Sequence, residues 1–93
     1  MKKRNKVSIA EVQYTVDDVK RFVNDELARL SGISEIPPKS SLTHDLGLDS
    51  LDCVDLTMEC EMEFDIAITP DESDEIRTAQ DMIDVCVKKL NLV

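Results

Sequence analysis

Apolar residues recur at helical spacing in two clear stretches of the chain. Val16, Val19, Phe22, Val23, Leu27 and Leu30 share one side at 100° per residue. Thr15, with Asp18 three positions on, supplies a capping box for that helix, and Ser31 with Gly32 supplies its stop. The second stripe is Ala79, Met82, Ile83, Cys86 and Leu90, opened by Thr78 and Asp81. It ends at Lys88 and Lys89, where the helix dipole favours cations. Between these two, a helix is predicted from Asp49 or Ser50 to about Phe64. A shorter one is signalled by Thr69, Pro70 and Glu72, an N-cap, a first-position proline and a capping-box acid. No alternating strand pattern appears, so the expected fold is all-α, a small four-helix bundle of three main helices and one short one.

The helix from 49 to 64 has apolar residues on two sides. Leu56, Cys60, Cys53 and Phe64 lie between about 140° and 220° from Leu51, and Val54, Met58, Leu51 and Met62 between about 300° and 20°. Asp52, Asp55, Glu59 and Glu63 fill the arc between them. A surface helix needs one core stripe, and Glu61 at about 280° borders the second group and would be costly to bury unpaired. The first group is therefore assigned to the core and the second to a partly exposed face. The competing assignment buries both, with this helix at the centre of the fold.

Length and composition narrow the class. Ninety-three residues make one domain with one small core. Eleven Lys and Arg against twenty Asp and Glu give a net charge of −9, which argues against nucleic acid and anionic membrane as partners. At 42% hydrophobic residues the chain can still pack. No run approaches the roughly 20 apolar residues of a membrane span, and the stretch after the basic Met1–Lys6, Val7 to Glu11, is too short and too polar to be a signal peptide's apolar segment. A cytoplasmic protein is expected, with monomer as the default state. Residues 1–14 read as a basic lead-in or tail, and 15–93 as the domain.

Candidate chemistry is sparse. Cys53 and Cys60, about 10.5 Å apart along a helix, are too distant for a disulfide, and Cys86 makes an odd third thiol. The cysteines are read as small apolar packing groups, and a single His44 without paired soft ligands disfavours zinc. Ser50 lacks the G-x-S-x-G context of a hydrolase, and nothing in the sequence aims His44 at it. No twelve-residue window fits a calcium loop. Two features remain. Residues 33–48, sixteen in all, form an unusually long connection containing Pro37, Pro38 and Gly47, with Ile33, Ile36, Leu42 and Leu46 as anchors. Between Ser40 and Ile76 there are twelve acids and no Lys or Arg. Taken alone, Asp49 with Asp52 is a capping box and Ser50 its first helical residue; equally, a phosphate on Ser50 would meet the helix dipole favourably, against repulsion from both acids.

The run DLGLDSLDCVDLTMECEMEFDIAI, continuing through TPDESDEIRTAQDMIDVCVKKL, closely resembles the acyl carrier protein family over roughly residues 15–90. The signature is the Asp49, Ser50, Leu51 triplet preceded by Asp45, Leu46 and Gly47. The resemblance implies that Ser50 bears 4′-phosphopantetheine, derived from coenzyme A and installed by a phosphopantetheinyl transferase. It also implies a protein that catalyses nothing and presents acyl thioesters to enzymes of fatty-acid or related lipid biosynthesis. It assigns docking on basic patches of those enzymes to Asp49, Leu51, Asp52, Val54, Asp55, Met58, Glu61 and Met62. Met62 stands where many fatty-acid carriers have another acid. A specialised carrier of polyketide or aminoacyl/peptidyl cargo is the alternative within that chemistry, and an unmodified acidic helical binding module the alternative outside it.

Overall fold

A computed structural model describes residues 14–92. Four helices occur in order: α1 (Val16–Ser31), α2 (Ser50–Phe64), α3 (Pro70–Asp74) and α4 (Ala79–Lys89). Each opens on a reciprocal capping box, Thr15 with Asp18, Asp49 with Asp52, Thr69 with Glu72 and Thr78 with Asp81. At every helix start the N-cap and third-position N–H groups are thus satisfied by side chains three residues apart. Gly32 ends α1 at φ 79°, a left-handed conformation that costs glycine little, and its N–H donates to Ala28 O.

The core is one cluster. α1 contributes Val19, Val23 and Leu27, α2 contributes Leu56, Cys60 and Phe64, and α4 contributes Ala79, Met82, Ile83, Cys86 and Val87. α1 packs against both α4 and α2. The stripe expected for α4 differs at its end. Val87 is buried there, while Leu90 is the half-buried C-cap.

The connection from 33 to 48 is tied down at several points. Leu42 N–H donates to Arg77 O at 2.9 Å, Ala79 N–H to Ser40 O at 3.1 Å and Gln80 N–H to Pro38 O at 2.8 Å. Leu42, Leu46 and Leu48 enter the core. Ile36 is half-buried, but Ile33 is exposed and anchors nothing. Asp45 caps a local turn by accepting from Ser41 N–H at 2.8 Å.

Residues 1–13 of the expected lead-in lie outside the described residues. Tyr14, the last of that lead-in, packs on the bundle. Its ring meets Phe64 edge-on at 4.9 Å, and its hydroxyl donates to Glu63 O at 2.9 Å. Among the described residues no helix is long and apolar enough to cross a membrane.

Candidate functional site

Asp49 and Ser50 stand where the pinned connection becomes α2. Asp49 Oδ1 accepts from Asp52 N–H at 2.9 Å, and Asp52 Oδ2 accepts from Asp49 N–H at 3.2 Å. Buried Leu46 and Leu48 flank Gly47, which turns the chain at φ 72°. Ser50 follows as the first helical residue. It is exposed, and its hydroxyl makes no hydrogen bond among the described residues. Neither do the N–H groups of Ser50 and Leu51, which the helix itself cannot satisfy. An accessible hydroxyl, two unused donors and the positive end of a 15-residue helix suit an attached phosphate. The carboxylates of Asp49 and Asp52 oppose it electrostatically, although both are turned onto the capping N–H groups.

The two-sided helix resolves as the first assignment required. Leu56, Cys60 and Phe64 are buried and Cys53 is half-buried, whereas Leu51 is 77%, Val54 54%, Met58 53% and Met62 69% exposed. The exposed group forms one face, with Asp55, Glu59 and Asp52 beside it.

Two of the acids have structural duties that spacing does not reveal. Asp55 accepts from Arg29 Nη2 at 3.0 Å, and the same guanidinium reaches Glu26 at 2.6 Å. This ties α1 to α2 through a solvent-exposed pair, whose worth is small. Glu61 Oε2 accepts from Ile68 N–H at 2.8 Å, holding the segment between α2 and α3. Neither Arg29 nor Ile68 carries a local sequence signal for these contacts, which span elements.

Cys53, one turn beyond Ser50, has its thiol pushed up by burial, then by Asp52 and Asp49, so it is a weak nucleophile beside the serine. Cys60 and Cys86 are both buried in the core. The neighbouring Cys86 thiol, then burial, push the Cys60 thiol up. No group of metal-ligating side chains occurs among the described residues.

A model of the family described as "Phosphopantetheine attachment site" matches residues 21–86, which takes in the connection, α2 and most of α4. The chain belongs to the acyl carrier protein family. It is 42% identical over 77 residues to an acyl carrier protein of Chlorobium phaeobacteroides, covering 81% of this chain and 99% of the relative. An acyl carrier protein of Chloroherpeton thalassium is also 42% identical over 77 residues, covering 81% and 96%. One from Cyanidioschyzon merolae is 42% identical over 74 residues, covering 77% of each chain. The cofactor of the family is phosphopantetheine, and an acyl carrier protein is a carrier and not a catalyst. The all-α bundle expected from the sequence is the fold observed.

Proposed function

We propose that Ser50 is the attachment point of 4′-phosphopantetheine and that this carrier presents acyl thioesters to enzymes of fatty-acid or related lipid biosynthesis in the cytoplasm. The observation that carries the proposal is the exposed, unpartnered Ser50 hydroxyl at the first position of α2. When bound, the arm supplies a terminal thiol on which acyl groups are held as thioesters. In the loading step the Ser50 Oγ–P bond forms as the pyrophosphate bond of coenzyme A breaks. The hydroxyl proton is lost and adenosine bisphosphate leaves. A phosphopantetheinyl transferase carries out that step; the carrier contributes the hydroxyl and its setting. Asp49 and Asp52 hold the helix start through their capping box, and the N–H groups of Ser50 and Leu51 would be available to a phosphate on Ser50.

The same reading assigns docking to the exposed face of α2. Leu51, Val54, Met58 and Met62 supply adaptable apolar contact, and Asp49, Asp52, Asp55 and Glu61 supply charge toward a basic patch. Exposed pairs of this kind steer encounter more than they hold a complex, which suits a carrier that passes between enzymes. Asp55 and Glu61 reach a partner only while sharing their carboxylates with Arg29 and Ile68.

Intact mass after incubation with coenzyme A and a broad-specificity transferase tests the attachment. Gain of one phosphopantetheine by the native chain and none by Ser50→Ala is expected. No gain by the folded native chain with several transferases would make α2 a binding surface and Ser50 a helix-start residue.

A further inference from the structure

α1 and α4 carry cations in their last turns, Arg29 in the first and Lys88 with Lys89 in the second, where the negative end of the dipole favours them. α2 has no basic residue in its last turn. It ends instead in Glu59, Glu61, Glu63 and Asp65, and Glu59 and Asp65 have no ion-pair or hydrogen-bonding side-chain partner among the described residues. Beside these acids stand Met58 and Met62, 53% and 69% exposed, at i, i+4 on the same face. The result is an apolar strip rimmed by negative charge at the wrong end of a dipole.

The chain enters the described fold at that end. Tyr14 sits on Phe64 and on the backbone of Glu63, so whatever precedes it starts from the last turn of α2. What precedes it includes Lys2, Lys3, Arg4 and Lys6, four of the chain's eleven cations, followed by Val7, Ile9 and Val12 with Glu11 as the one acid. From Tyr14 back to Lys6 an extended chain reaches roughly 26–29 Å, longer than the about 22 Å of α2. A short tether also gives an effective concentration in the millimolar range, enough to populate contacts that would be negligible between separate molecules.

We infer that residues 2–12 of this chain are the occupant of the exposed C-terminal half of α2, with their cations against Glu59, Glu63 and Asp65 and their apolar residues over Met58 and Met62. The chemistry matches on both counts, basic to acidic and aliphatic to thioether, and the tether sets the segment beside the patch. The contact requires no group on Ser50. A basic enzyme surface would have to displace the segment, a consequence that rests on the carrier reading above and that the following test does not use.

The test is an amide ¹H–¹⁵N comparison of the full native chain with the full chain bearing Lys2→Gln, Lys3→Gln, Arg4→Gln and Lys6→Gln. Circular dichroism on both establishes equal helix content. Shift differences concentrated at Met58, Glu59, Met62, Glu63 and Asp65 are expected. They should collapse at about 0.5 M NaCl, where the screening length is roughly 4 Å, and be unchanged by tenfold dilution. Differences confined to residues 1–14, or spread evenly over α1 and α4, would overturn the inference. Differences that fade on dilution would overturn it too, by making a second copy the occupant. Glu59→Gln with Met62→Ser, in the full chain, gives the reciprocal check: the amides of residues 2–12 should move toward their high-salt positions, and no movement would count against the contact.

Discussion

Glu72 shows how much one carboxylate can be asked to do at a helix start. It accepts from Thr69 N–H at 2.9 Å and pairs with Lys89 at 2.9 Å, joining the short α3 to the end of α4. The Thr69 backbone hydrogen bond, followed by that to Lys89, brings its carboxyl from the usual 4.5 down to about 2. A depressed folded-state pKa stabilises the fold above the unfolded value and is lost as pH falls through the folded one. The stability difference between native chain and Glu72→Gln should therefore be constant near neutrality and shrink as pH falls from 4.5 toward 2. Urea midpoints of the two proteins across that range measure it, and a gap that persists unchanged at the acid end would remove the interaction. Ser50 is a contrast at the same scale, an exposed hydroxyl with no partner among the described residues, as the proposed attachment requires.

At the scale of elements, α2 is the helix on which the two readings of its pattern made different demands. Leu56 is wholly buried and packed in the common core, so Leu56→Ala should cost about 2–5 kcal/mol, a large share of the stability of a domain this size. Leu51→Ala and Met58→Ala, on the exposed face, should each stay within about 0.5 kcal/mol. Urea unfolding of the three variants decides between the assignments. A cost for Met58→Ala approaching that of Leu56→Ala would return the exposed stripe to the core. The same contrast is consistent with the docking proposed for this face, because its residues are spared from holding the fold together.

Across the whole molecule the charge is unevenly placed, with twelve acids and no Lys or Arg between Ser40 and Ile76 in a chain of net charge −9. Repulsion among them opposes compaction when unscreened. Raising the ionic strength from about 10 to 200 mM, which shortens the screening length from roughly 30 Å to about 7 Å, should raise Tm by several degrees; each 1 kcal/mol relieved corresponds to about 4–8 °C at this size. A thermal melt followed by circular dichroism, with magnesium as a second arm, checks this. A Tm indifferent to both would mean that the acids are already offset by contacts such as Arg29–Asp55 and Lys89–Glu72.

What the amino-acid sequence determined by itself was local. All four helix starts were legible because a capping box needs only residues three apart, and Gly32 was legible as a stop because few other residues tolerate its φ of 79°. Ser50 at the head of α2 belongs to the same class, since its place follows from Asp49 and Asp52. Tertiary structure decided everything that needed a neighbour from another element. Periodicity offered α2 two apolar faces, and only packing against α1 and the rest of the core chose Leu56, Cys60 and Phe64 for burial. Leu48 is buried and Ile33 is not because the connection follows its hydrogen bonds to Arg77, Ala79 and Gln80, residues some forty positions away. Glu61 turned to Ile68 and Tyr14 to Glu63 for the same reason: a hydrogen bond or a packed ring depends on which groups the folded chain brings within reach, and no spacing along the chain encodes that distance.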